Sequence, residues 1–348
     1  MPKVDYIIIG QGLAGTCLAL EFLKRGKSFF VFDQPYPNSA SRVAAGLFNP
    51  ITGRTNQSTW KADQIFPHLK KFYTEAEKTL GGKFLTMLPV YRPFLSSEEQ
   101  TRPIELNRQW VKNVFLDSQF KGQVNDPFGG IEFEGSGFLN TTSLISKARE
   151  IFMAMCVIDE SKFDPHELQA DENVRYKNRE ATSIIFCDGV EANSNPWFHW
   201  LPIRKLKGEL VRVKADLPEE AIINRGVFSV PTEKAGQFVV GSTYQHDLSE
   251  GHSESGVDEI IAKAKKLFKG ELEITSKSWG HRPSTVDRRP VIGHHPKNRN
   301  ICTFNGLGTK GVSLAPYFAG QMADWLEGQT DLDKEANIQR FYSLYFNL

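Results

Sequence analysis

At 348 residues the chain is long for a single hydrophobic core and suits two closely joined domains. Hydrophobic residues make up 40% and charged residues 24%, an ordinary globular balance. A formal net charge of +1 argues against a nucleic-acid binder or a strongly acidic surface, and no apolar run reaches bilayer-spanning length.

From Val4 to Ile9 runs a short apolar segment suited to a buried parallel strand, so no cleaved signal peptide is expected and the cytoplasm is the expected compartment. Gly10, Gly12 and Gly15 follow as G-x-G-x-x-G, then Leu13 to Lys24 with helical apolar spacing, then Gly26 as terminator. Ser28 to Phe32 predicts a second strand, with Asp33 at its carboxyl end. Each part has a physical task in binding a dinucleotide. Gly10 allows the tight turn, Gly12 leaves room for a pyrophosphate, and Gly15 permits close helix–strand packing. The helix N-terminus offers N–H groups and partial positive charge, and Asp33 can accept from ribose hydroxyls.

The next stretch, QPYPNSASRVAAGLFNPITGR, is loop-like around a small-residue centre, Ala44, Ala45 and Gly46, where backbone can approach a large flat group. Residues 63–80 predict a helix with Ile65, Leu69, Phe72, Ala76 and Leu80 inward and Lys70, Lys71 and Lys78 outward. Between 84 and 137, short β-type runs (88–94, 111–116, 131–133) alternate with turn residues, which predicts part of a second, mainly β domain inserted into the first. A helix is expected over 140–155, with Leu144, Ala148, Ile151, Phe152 and Met155 on one face. Further strands are expected from Val157, over 181–187, 205–214, 226–231 and 237–243, and a helix over 257–268. Cys17, Cys156, Cys187 and Cys302 have neither zinc nor redox spacing, and Cys17 and Cys187 read as reduced core thiols.

The C-terminal part carries a second signal. WGHRPSTVDRRPVIGHHP precedes a strand over 301–304, a glycine-rich turn over 305–311 and a helix over 312–326. A second helix N-terminus aimed out of the nucleotide domain suits a cofactor ring that becomes anionic on reduction, as a flavin does and a nicotinamide does not.

These segments resemble the superfamily of FAD-dependent oxidoreductases that includes D-amino-acid oxidase, glycine oxidase and sarcosine oxidase, with glycine oxidase the nearest in pattern. The resemblance rests on the N-terminal fingerprint with Asp33, SRVAAGL, VPTEKAGQFVVGST with HRPSTVDRRPVIGHHP, and GLGTKGVSLAP. It implies an α/β fold, a Rossmann-type FAD-binding domain (1–83, 139–204 and 279–348) with a smaller α+β substrate domain on a mainly antiparallel sheet (84–138 and 205–278). It further implies that Ser41 and Arg42 contact phosphate and that Ala45, Gly46 and Leu47 lie near the flavin. Thr309, Lys310, Gly311 and Val312 would meet its C2 carbonyl edge, and Gly189 would match, loosely, a small-residue-plus-glycine pair by the cofactor. Arg282, in His281-Arg282-Pro283, would anchor a substrate carboxylate through a bidentate pair. His281 and Lys310 are further candidates for the catalytic site.

The chain also departs from the pattern. Phe228 stands where glycine oxidases have a tyrosine before the Val-Pro pair, and Val239 where sarcosine oxidases have a lysine that promotes reaction with oxygen. Gly280 occupies the position of their flavin-linking cysteine, so FAD is expected to be non-covalent. The expected activity is oxidation of the C–N bond of a small amino acid or secondary amine by hydride transfer to flavin N5, as oxidase or dehydrogenase. No metal-ligand spacing is present and a nucleic-acid partner is not expected. Two alternatives stay open: the FAD-dependent step of tRNA wobble-uridine modification, using basic residues such as Arg204, Lys205, Lys207, Lys263, Lys265 and Lys266, and a flavin-binding protein without turnover. The sequence assigns no particular amine, electron acceptor or oligomeric state.

Overall fold

The Lys3–Ile9 strand ends in four buried residues, and the Leu13–Lys24 helix that follows is buried through Phe22 because it packs between sheet and further helices. This computed structural model describes residues 1–53, 57–101, 108–246 and 249–347. Lys3–Ile9 pairs in parallel with Phe29–Phe32 on one side and Arg179–Phe186 on the other. Ile158–Asp159 extends the sheet beyond Phe29–Phe32, and Asn298–Asn305 joins the far end of Arg179–Phe186, both in parallel. Two antiparallel strands, Leu168–Ala170 and Val174–Tyr176, complete one edge, and Val291–His295 pairs with Asn298–Asn305, giving eight strands. The Leu168–Tyr176 hairpin is absent from the sequence expectation because its polar residues show no sustained alternation.

One face of this sheet is covered by the helices Leu13–Lys24, Ala62–Leu80 and Gly311–Leu326, which share a core with Phe22, Tyr73, Phe152 and Phe318. The expected inward faces hold, save Met155, which lies past the end of the Thr141–Ala154 helix and is exposed. Cys17, Cys187 and Cys302 are buried thiols, Cys156 is exposed, and none forms a disulfide.

A second eight-stranded sheet runs in the order Glu273–Thr285, Ile203–Lys214, Gln237–Gly241, Val227–Pro231, Ile222–Arg225, Val90–Pro93, Gly130–Phe133 and Val111–Phe115. All pairings are antiparallel except that of Ile222–Arg225 with Val90–Pro93. Its two faces differ. Tyr91, Val211, Val213, Ile223 and Val240 pack under the Glu254–Leu267 helix, while Val90, Ile131, Phe133, Ile222 and Val230 turn the other way, toward Ala45 and Leu47.

Glu273–Thr285 is a strand that the sequence does not announce, since Gly280, Pro283 and mixed polar residues break any alternation. Pairing with Ile203–Lys214 along its length imposes the conformation, and its place at the sheet edge tolerates Pro283, which has no N–H to donate. The expected domain boundary at 278/279 falls inside this strand.

Candidate active site

The glycine turn is built as a cradle. Gly10 has φ +96° and a Cβ there would lie 2.6 Å from the Cys187 carbonyl oxygen, while a Cβ on Gly15 would collide with the Gly10 carbonyl. Gly12 is the N-cap of the first helix, with no side-chain cap and no acidic residue in the first turn. A Cβ on Gly12 would point at Ser41 Oγ, 3.1 Å away, and Ser41 Oγ accepts from the Leu13 N–H at 3.0 Å. Ser41 and Arg42 belong to the short Ala40–Val43 helix, so the structure brings both to this helix N-terminus.

Asp33 accepts from the Gln11 N–H through Oδ1 at 2.7 Å and pairs through Oδ2 with Arg149 Nη2. Arg149 is buried, also pairs with Glu160 at 2.7 Å, and its Nε finds no partner among the described residues. It lies on the Thr141–Ala154 helix, and nothing in that helix's periodicity singles it out. Burial pushes the Arg42 guanidinium below its ordinary value, the neighbouring Arg149 charge pushes the same way, and Asp33 opposes. Two guanidinium groups thus converge beside a helix N-terminus, an arrangement that favours an anionic ligand.

Gly46 has φ +75°, and a Cβ there would collide with the Leu139 carbonyl. Its own carbonyl accepts from the Leu139 N–H at 3.1 Å, which fixes Ala45, Gly46 and Leu47 against the Gly137–Leu139 strand. Ala45 and Leu47 pack against the same apolar cluster as Phe228 on the second sheet. Gly189, φ +57°, begins a 3-10 turn, and a Cβ there would meet nothing within 4 Å. Beside it, Asp188 accepts from Asn195 Nδ2 at 2.8 Å and Asn305 Nδ2 at 2.9 Å, and burial pushes its carboxyl up to about 6. Asp188 ties the ends of two parallel strands together at the crevice where open α/β sheets bind ligands.

Thr309 and Lys310 close a 3-10 turn over Gly308–Lys310, and Gly311 and Val312 open the Gly311–Leu326 helix with no acidic residue or side-chain cap at its start. Gly311 packs on Leu13, a contact that sets the two helix N-termini side by side. Pro316 lies inside this helix and has no N–H for the Val312 carbonyl. Tyr73 Oη donates to that carbonyl instead, at 2.8 Å.

Arg282 sits near the end of the edge strand. Its Nη1 donates to the Thr243 carbonyl at 3.3 Å and its Nη2 to Ser242 Oγ at 3.1 Å, and the guanidinium lies on the backbone of Gly208. Burial lowers its pKa and Tyr244 is the group that opposes, with no carboxylate of the described residues in ion-pair range. Along the same face, Gly280 packs against Val43 and Asn38, and Ser284 Oγ lies 3.3 Å from where a Gly308 Cβ would be. Arg282 therefore stands on the sheet face that meets both the Ala40–Val43 helix and the turn before the second helix N-terminus.

His281 is its chain neighbour but alternates to the opposite face. It pairs with Lys207 and packs on Trp279. Lys207, one of the basic residues weighed for a nucleic-acid face, is buried 3.6 Å from the equally buried Glu209, and Glu209 accepts from the Ser253 N–H beneath the Glu254–Leu267 helix. Lys310 borders a small cleft with Trp60, Arg288 and Arg289, and burial with those two arginines lowers its pKa. The structure thus groups Gly10, Gly12, Gly15, Asp33, Ser41 and Arg42 at one helix N-terminus, and separates His281 from Arg282.

Residues 5–325 match the family of FAD dependent oxidoreductases. The chain belongs to that family. It is 38% identical to the glycine oxidase of Bacillus licheniformis, an alignment covering 94% of this chain and 94% of that protein. It is 22% identical to the bifunctional protein ThiO/ThiG of Trichormus variabilis over 93% of this chain but 53% of that protein, so the chain spans about half the length of that relative. In fold it is similar to the crystal structure of glycine oxidase from Geobacillus kaustophilus, with a TM-score of 0.78 at 20% identity, covering 95% of this chain and 96% of that one. The chain is an FAD-dependent oxidoreductase with the α/β fold of these relatives. The residues present fit the cofactor: a glycine cradle that a Cβ would fill, paired helix N-termini, and a buried arginine whose Nε has no partner among the described residues. No helix among the described residues is long and apolar enough to cross a membrane.

Proposed function

We propose that this chain oxidises the C–N bond of a small amino acid or secondary amine, with Arg282 holding the substrate carboxylate. The observation that carries the reading is a desolvated guanidinium, without a carboxylate partner among the described residues, on the sheet face that packs against Ala45 and Leu47. A buried guanidinium in that state gains strongly from a bidentate carboxylate. Gly10, Gly12 and Gly15 with Ser41 and Arg42 would hold the pyrophosphate of FAD, Asp33 the ribose, and the Gly311–Leu326 helix N-terminus the flavin edge. FAD supplies the hydride acceptor when bound. The chain's own part is orientation: Arg282 fixes one end of the substrate, and Phe228 with Leu210 forms an apolar floor beside it.

Gly280 supports non-covalent FAD, because a side chain there would meet Val43 Cγ2 at 2.6 Å and the Asn38 carbonyl at 2.9 Å. The test is anaerobic titration of the purified yellow protein with amino acids and N-methyl amines, followed by flavin absorbance. Bleaching by one class supports amine oxidation, and later admission of air distinguishes oxidase from dehydrogenase. A flavin that no member of the panel reduces counts against the reading.

A further inference from the structure

The face of the second sheet that carries Arg282 also carries a polar group with no hydrogen-bond partner among the described residues, Asn224. Pairing fixes where it points. Leu210 pairs with Gly241, Gly241 with Phe228, and Phe228 with Asn224, so the side chains at 210, 228 and 224 share one face. Next to them, Ile222 pairs with Val90, and both belong to the cluster that receives Ala45 and Leu47. Arg92 follows on that face, its guanidinium over the Phe133 ring.

A row therefore runs across the sheet: a guanidinium, an apolar floor, a carboxamide, and a second buried cation. The Arg282 guanidinium reaches Ser242 and Thr243, past the end of the Gln237–Gly241 strand, and Asn224 lies two strands farther on. Two strand spacings are about 10 Å, a span that glycine does not bridge. Phe228 offers no polar contact in between, and Asn224 is half-buried, leaving its amide open to a ligand.

We propose that Asn224 selects the substrate by donating to an oxygen acceptor at the end remote from Arg282. The preferred substrate is then an amino acid or secondary amine bearing a second carboxylate or carboxamide. Donation rather than acceptance is the role assigned because the carboxamide Nδ2 supplies N–H groups that the Phe228 ring beside it does not. The inference rests on Arg282 as carboxylate anchor and adds the class of substrate.

The experiment measures anaerobic flavin reduction in the FAD-bound wild type, Asn224→Ala and Asn224→Asp. The panel is glycine and N-methylglycine against both enantiomers of aspartate, glutamate, asparagine and glutamine, and N-(carboxymethyl)glycine. At least one acceptor-bearing compound should exceed glycine in kcat/KM, and Asn224→Ala should lower that ratio about tenfold or more. Asn224→Asp should penalise carboxylate tails more than carboxamide tails, which separates the two acceptors. Flavin absorbance and Tm of each variant verify that it folds and holds FAD. Reduction by glycine or N-methylglycine with no preference for a second acceptor, or a ratio unchanged in Asn224→Ala, overturns the role of Asn224 and leaves amine oxidation standing. A wild-type flavin that no compound reduces overturns the underlying reading instead.

Discussion

Arg282 rests on Gly208, and there is no room between them for even a methyl group, since a Cβ on Gly208 would collide with the guanidinium nitrogens. The smallest residue on one strand thus sets the position of a buried guanidinium on the next. Arg282→Ala should lower kcat/KM for carboxylate substrates about 10- to 100-fold, chiefly through KM, while FAD stays bound. Gly208→Ala should act in the same direction by displacing the guanidinium. Steady-state kinetics with flavin absorbance as the loading check reads both, and wild-type KM values in either variant would remove the anchor.

Tyr73 stands in for a donor that Pro316 cannot supply, its hydroxyl meeting the Val312 carbonyl at 2.8 Å. Tyr73→Phe leaves that buried carbonyl unpaired, and the expected loss is about 1–3 kcal/mol. Urea unfolding of the FAD-loaded proteins measures it. An unchanged midpoint would mean that the helix start is held by something else.

Asp188 gives a pH signature. Its folded pKa of about 6 lies above the ordinary carboxylate value because it is buried, so the folded chain keeps a proton that the unfolded chain has lost. Its contribution to stability is therefore full below about pH 4 and lost as pH rises through about 6, by at most about 1.4 kcal/mol per pH unit. In Asp188→Asn this slope is gone. Across that window the wild-type urea midpoint should fall relative to that of Asp188→Asn as pH rises, and parallel curves or a relative rise would contradict the assignment.

Asp33 balances Arg149 as well as accepting from the Gln11 N–H. Asp33→Ala should weaken FAD binding about tenfold or more and destabilise the apoprotein, because a buried guanidinium loses half its counter-charge. Ultrafiltration of free flavin and thermal unfolding without FAD separate the two effects. Full FAD retention at nanomolar protein would rule out the ribose role.

What the sequence made legible follows from how local each signal is. The Leu13–Lys24 helix, the Gly10 turn and Asp33 are encoded by consecutive residues, and the Leu13–Lys24 span emerges unaltered. Arg149 was not legible: a buried arginine on a helix looks like a wet one until Asp33 and Glu160 are brought to it from elsewhere. The same holds for Lys207 with Glu209, both inside the Ile203–Lys214 strand where charges read as solvent-facing. His281 and Arg282 look like companions in a list of residues, and only the knowledge that they lie in a strand separates them. Asn224 carried no signal, because its importance lies in the order of strands around it.

The Glu273–Thr285 strand touches three things in turn: Gly280 meets the Ala40–Val43 helix, Arg282 meets Gly208, and Ser284 meets the Gly308 turn. All three are even-numbered, and that parity is what the fold depends on. Substitutions at the odd positions change the rear of the sheet and leave the front in place. Inserting one residue between Gly280 and His281 would send the guanidinium to the Glu254–Leu267 side and bring His281 forward. Such a chain could keep its cofactor cradle and every residue named here, yet present an imidazole where the proposed carboxylate anchor had been.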